Sequence, residues 1–224
     1  MLGPIMDDII LVDKPAGITS FGVIRELRKK LGVRKIGHAG TLDPLATGLM
    51  LLGVGTGTKK LTSLIKLDKE YLAEIRVGEK RSTGDLEGEI VAVKPVTYLS
   101  EVIAQETLKG MVGTLRLAVS AYSAIKKDGV PMYKRARQAE KIGEVVTDVP
   151  ARDMEVYAAE MLGCRITNER AIVTVRFAVG SGTYIRSLAE EFGTRMGYPA
   201  TLQLLRRTKV GEYDIADAKQ IEDF

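Results

Sequence analysis

Two hydrophobic periods alternate along this chain. Ile9 to Val12 forms a short apolar run that ends in a Pro/Gly turn, Asp13-Lys14-Pro15-Ala16-Gly17, and predicts a buried strand. Val23, Ile24, Leu27 and Leu31 then recur at helical spacing, with Thr19 or Ser20 available as the cap and Gly32 as the stop. Leu49-Met50-Leu51-Leu52 predicts a core strand, and Leu61, Leu64 and Ile65 predict a helix entered through a glycine-rich turn. Residues 69–78 alternate strictly, which predicts a strand with one buried face; the turn at 82–88 should close a hairpin onto Ile90 to Val93. Further on, Ser100 should cap a helix through Val102, Ile103 and Leu108. Strands follow at 152–162 and 171–179, and Thr183 should cap a helix with Ile185, Leu188, Ala189 and Phe192 on one face. Many short strands interrupted by helices predict an α+β fold.

Composition narrows the options. With 224 residues, 45% hydrophobic and 28% charged, the chain can bury one large core or two small ones. Cys164 is the single cysteine, which excludes an internal disulfide and fits a reducing compartment. His38 is the single histidine, so a zinc site of the usual nitrogen and sulfur type cannot be assembled. No apolar run approaches the ~20 residues that span a bilayer, and Met6-Asp7-Asp8 lacks a basic signal start. The expectation is a cytoplasmic protein with no metal, no membrane partner and no cofactor, monomeric by default.

Net charge is +4, and its distribution is more informative than its size. Basic residues gather at Arg25, Arg28, Lys29, Lys30, Arg34 and Lys35. They recur at Lys126, Lys127, Lys134, Arg135, Arg137 and Lys141, and again at Arg206, Arg207 and Lys209. Local basic patches of this kind suit contact with a phosphate backbone. Gly53-Val54-Gly55-Thr56-Gly57-Thr58-Lys59-Lys60 is not a Walker loop, because no Ser or Thr follows Lys59. A phosphate-loop nucleotide enzyme is therefore disfavoured.

The candidate chemistry lies in Gly37-His38-Ala39-Gly40-Thr41-Leu42-Asp43-Pro44-Leu45-Ala46-Thr47-Gly48, which holds a carboxylate on a stiff turn before a core strand. Taken alone it reads as an Asp-Pro turn. As a twelve-residue word it resembles the signature loop of the TruB family of pseudouridine synthases, which isomerise one uridine in the T-loop of tRNA. The resemblance implies that Asp43 is the essential catalytic residue. Asp13-Lys14-Pro15-Ala16-Gly17-Ile18-Thr19-Ser20-Phe21 resembles the family motif that packs beneath that loop, which gives Lys14 a structural role at the site. Lys69-Glu70-Tyr71 resembles the family strand whose tyrosine, here Tyr71, stacks on the target base. Ser82-Thr83-Gly84-Asp85-Leu86-Glu87-Gly88 matches the family's Thr-x-Asp-x-x-Gly turn. Gly182-Thr183-Tyr184-Ile185-Arg186-Ser187-Leu188 resembles its third signature, whose arginine, here Arg186, pairs with the aspartate; Tyr184 beside it is expected to contact substrate. Leu205-Arg206-Arg207-Thr208 matches the closing word, with Leu205 as an apolar wall of the base pocket.

Tyr122-Ser123-Ala124-Ile125-Lys126 and Tyr133-Lys134-Arg135-Ala136-Arg137 also match family words. Two departures are Leu117-Ala118-Val119-Ser120, where a Gln-x-Pro-Pro is usual, and Ala139 in place of a glycine. Resemblance runs from about residue 9 to residue 215. It implies a pseudouridine synthase catalytic domain over 1–224, with a mixed, mostly antiparallel central sheet flanked by helices and an RNA-binding cleft, and without the C-terminal PUA-like domain that members commonly carry.

The implied reaction, at uridine 55, breaks N1–C1′, turns the uracil and joins C5 to C1′ without redox change, so no cofactor is needed. The base must be flipped out of the loop. Asp43 would act as a nucleophile or as a base on the 2′ position, with Arg186 offsetting the cost of burying its charge and His38 assisting base flipping or RNA positioning. Two rivals remain: a guide-RNA-dependent synthase subunit with obligate partners, and a tRNA-binding or folding module that does not catalyse.

Overall fold

A computed structural model describes residues 8–123, 125–142, 146 and 148–224. Met6, Asp7 and Ala124, used in the sequence reading above, lie outside the described residues. In chain order the strands are β1 (Ile9–Lys14), β2 (Ile36–His38), β3 (Thr47–Val54), β4 (Lys69–Val77), β5 (Glu79–Arg81), β6 (Ile90–Val93), β7 (Gly113–Ala118), β8 (Lys126–Lys127), β9 (Val130–Pro131), β10 (Ala151–Thr167), β11 (Arg170–Val179), β12 (Ala200–Val210) and β13 (Tyr213–Asp214). The helices are α1 (Ser20–Leu31), α2 (Leu61–Leu64), α3 (Glu101–Lys109), α4 (Met132–Glu140) and α5 (Ile185–Arg195). Among the described pairings the strands run mostly antiparallel, with β12 and β3 parallel, which is the mixed sheet that the resemblance implies.

The chain divides into two compact units. The first comprises Met1–Leu72 as far as it is described, Phe177–Ser181 and Leu204–Phe224. In it β1 runs antiparallel to β3 from Ile9 opposite Gly53 to Lys14 opposite Gly48, and β2 pairs with β3 from Ile36 opposite Val54. Thr19 caps α1 by accepting from the Gly22 amide, and Gly32 ends it in the left-handed conformation. Ala39, Leu49, Leu51, Leu64 and Val210 form a buried cluster, covered by Ile9, Leu11, Leu61, Leu67 and Tyr213. This cluster is the floor from which the segment between β2 and β3 rises.

The second unit comprises Ala73–Arg176 and Gly182–Gln203. β7 and β10 pair antiparallel from Gly113 opposite Val156 to Ala118 opposite Ala151, and β5 pairs with β6 in a bulged hairpin. Ser100 caps α3 as expected, but the buried positions are Ala104 and Leu108; Val102 is 74% exposed and Ile103 also faces outward. At α5 the expected cap is corrected. The helix starts one residue later than Thr183 would require, with Tyr184 at the cap position and no side-chain cap bond, and the Thr183 hydroxyl donates to the Glu155 carbonyl instead.

Among the described residues no helix is long and apolar enough to cross a membrane, and no group of three or more His, Cys, Asp or Glu side chains could hold a metal ion.

Candidate active site

Asp43 lies in the first unit on the irregular stretch between β2 and β3, half-buried. The stretch has no ladder of its own, so its main-chain groups need partners from elsewhere. Ser20, at the start of α1, both donates to the Leu42 carbonyl and accepts from the Leu42 amide, each at 2.8 Å. Just past the aspartate, the Gly17 amide donates to the Pro44 carbonyl at 2.8 Å and the Ala46 amide to the carbonyl of Asp43 itself at 3.1 Å. The fully buried Lys14 ammonium donates to the carbonyls of Pro15 (2.9 Å), Pro44 (3.1 Å) and Ala46. The residues on both sides of Asp43 are therefore fixed from β1, the following turn and α1. Lys14 thereby links the end of β1 to the main chain just after Asp43.

At Gly48 both the backbone angle and the space exclude a side chain. Its φ is +103°, and a Cβ there would stand 2.3 Å from the Arg207 carbonyl oxygen. Beside it, the Thr47 hydroxyl donates to the Leu205 carbonyl at 3.4 Å, which ties Leu205 to the end of the loop.

Tyr71 is 8% exposed on the buried face of β4, alternating with Lys69 and Ala73. His38 ends β2. Its Nδ1 is buried without a hydrogen-bond partner, and its pKa is held below the ordinary histidine value, chiefly by burial and then by the Arg207 charge. That shift favours the neutral imidazole. Lys14, His38, Asp43, Tyr71 and Leu205 thus all belong to the first unit.

Arg186 and Tyr184 belong to the second unit. Tyr184 is half-buried at the head of α5. Arg186 is not a surface residue of a first helical turn. It is 6% exposed; its guanidinium pairs with the Asp85 carboxylate at 3.3 Å and donates to the carbonyls of Thr83 (3.0 Å) and Tyr122 (3.4 Å). Asp85 in turn accepts from the Thr83 hydroxyl and the Glu87 amide. Sequence reading placed Asp85 in a family turn and gave it no task, although a Thr-x-Asp turn is a ready orienter for a guanidinium. The departing segment Leu117-Ala118-Val119-Ser120 closes the same surroundings. The Ala118 carbonyl accepts from the Ser187 hydroxyl, and the Ser120 hydroxyl donates to the Thr83 carbonyl.

The third basic cluster is corrected as well. Arg206 forks onto Asp13 at 2.7 and 3.1 Å, and Arg207 is 1% exposed, so neither is a free phosphate contact. Around α4, Arg135 is tied to Asp128, whereas Lys134 and Arg137 are exposed.

The first unit thus carries a half-buried aspartate between fixed neighbours and a buried tyrosine, and the second carries a buried arginine on α5. Residues 28–185 match the TruB family pseudouridylate synthase (N terminal domain), and the chain belongs to that family. Its relatives include the tRNA pseudouridine synthase B of Leifsonia xyli subsp. xyli, 41% identical over 98% of this chain and 72% of that protein. The protein of the same name from Thermobifida fusca is 37% identical over 97% of this chain and 74% of its own. Among solved structures, a Cbf5-Nop10-Gar1 complex matches with a TM-score of 0.71 and 26% identity, over 98% of this chain and 54% of that one. An H/ACA RNP bound to a substrate RNA containing 2'-deoxyuridine matches in fold with a TM-score of 0.70 at 24% identity. This chain spans about half of those two structures' chains.

Proposed function

We propose that this chain isomerises uridine 55 in the T-loop of tRNA to pseudouridine, with Asp43 as its catalytic group. The observation that carries the reading is the fixing of the loop on both sides of Asp43, at Leu42, Pro44 and Ala46, in a member of this family. A reacting carboxylate gains most when its approach to C1′ or the 2′ position is set in advance.

The uridine is flipped out of its loop, and Tyr71 stacks on the uracil while Leu205 walls its other side. Either Asp43 attacks C1′ and expels the uracil as its N1 anion, the turned uracil's C5 then displacing the carboxylate, or Asp43 takes the 2′ proton to give a glycal and returns it when C5 bonds to C1′; in both routes the C5 proton leaves to solvent and N1 takes one up. The elements of substrate and product are the same, so no oxidant, reductant or cofactor enters. Arg186 serves to pair with Asp43 and offset the desolvation of its charge, with Asp85 fixing the guanidinium. His38, neutral, takes the place of the flipped base or positions the RNA, and Tyr184 contacts the substrate strand. Lys14 holds the loop. The work is assigned to a monomer in the cytoplasm.

The test is tritium release from a tRNA transcript labelled at uridine C5, with purified protein and no other macromolecule. Release from position 55 supports the reading. Release only when a guide RNA and partner proteins are added would favour the rival suggested by the Cbf5 likeness, and binding without release would leave a folding module.

A further inference from the structure

We infer that Arg207 is a positioning residue for the catalytic loop, a two-pronged strap that closes the loop at both ends and sets the place of Asp43. For its effect on catalysis this rests on the reading above. Nε of Arg207 donates to the Leu49 carbonyl at 2.7 Å, and the same guanidinium donates from a second nitrogen to the Gly40 carbonyl at 3.3 Å. Those carbonyls flank the excursion from Thr41 to Gly48, three residues before Asp43 and six after it. One rigid planar group therefore fixes the span of the loop, where a lysine would bring a compact ammonium on a flexible stem.

The backbone at the same position does the same work independently. Arg207 pairs in parallel with Gly48, and the approach is so close that only glycine fits. At the loop's other end Gly40 holds a φ of +102°, a conformation that side-chain-bearing residues rarely adopt, and an added Cβ would be in ordinary contact with the guanidinium. The contrast with its neighbour is informative. Arg206 forks onto the Asp13 carboxylate, whereas no carboxylate among the described residues pairs with Arg207. Burying a guanidinium on carbonyls alone is costly, and charge-assisted bonds to the loop ends are what it obtains in return. The charge is felt nearby, since it contributes to lowering the pKa of both His38 and Lys69.

The experiment compares the full chain with Arg207→Lys and Arg207→Met in three readings: single-turnover isomerisation of T-arm RNA, RNA affinity, and amide hydrogen exchange across residues 39–51 without RNA. A displacement of about 1 Å at a reacting group costs ~10²-fold in rate, so Arg207→Lys should slow isomerisation by roughly 10–100-fold, with affinity within about threefold and faster exchange in the loop. Wild-type rate and exchange in Arg207→Lys would overturn the strap. So would a drop in melting temperature with the rate per folded molecule unchanged. If Arg207→Met does not fold, the lysine variant decides. If the wild-type chain itself releases no tritium, the functional reading fails, and the loop exchange alone accepts or rejects the strap.

Discussion

The two units hold their key side chains by opposite means. In the first, buried cations are spent on main-chain carbonyls: Lys14 on Pro15, Pro44 and Ala46, Lys69 on Ile65 and Leu67, Arg207 on Gly40 and Leu49. In the second, the buried Arg186 is held by a carboxylate, Asp85, which is itself fixed by a threonine hydroxyl and an amide. The first device sets the shape of a loop that has no ladder. The second sets the direction of one guanidinium. Removing a cation from the first should free backbone, and removing the anion from the second should leave a buried charge less well compensated.

The largest stability effect should therefore come from the second unit. Asp85→Ala takes the carboxylate at 3.3 Å away from the buried Arg186 guanidinium, a loss of about 3–5 kcal/mol by urea unfolding. A loss under about 1 kcal/mol would show that the pair is not what holds Arg186. Lys14→Met should cost less, roughly 2–3 kcal/mol, because it removes donors from neutral carbonyls rather than a carboxylate from a buried charge. Its signature would be faster amide exchange around residues 42–46, and equal slowing across the whole chain would contradict the comparison.

Lys69 gives a pH-dependent version. Burial, and then Arg207, pull its pKa from 10.5 to about 8. Between those values the unfolded chain binds the extra proton and the folded one does not, so this group makes stability rise with pH from about 8 towards 10.5. In Lys69→Met that part of the pH dependence should vanish, and an unchanged profile would remove Lys69 from the buried cations. The smallest effect belongs to the surface. Reversing exposed Lys134 and Arg137 should leave stability alone and reduce the salt dependence of tRNA binding by about one phosphate contact each. An unchanged slope would make α4 a solvated face.

Much of this was legible from spacing. Thr19 and Gly32 bound α1, and strict alternation marked the buried face of β4 with Tyr71 on it. The words around Asp43 and Arg186 pointed to both residues before any geometry. Arg207 was not legible, since a basic triplet reads the same whether it faces water or a loop end. What turned it inward was the pair of carbonyls left open by the chain's excursion after β2. Asp85 was missed for a similar reason, because a turn aspartate is ordinary until a buried arginine, distant in sequence, arrives beside it. Val102 and Ile103 were misread because helical period identifies an apolar face but not which of its residues the sheet covers.

The most direct test of the whole account is Asp43→Asn in the tritium-release assay, with tRNA affinity measured in parallel. The substitution keeps the loop's main-chain ties and removes only the ionised oxygen. The account predicts that release falls by roughly 10³-fold or more while binding is nearly unchanged. Release at the wild-type rate would show that Asp43 takes no part in the chemistry.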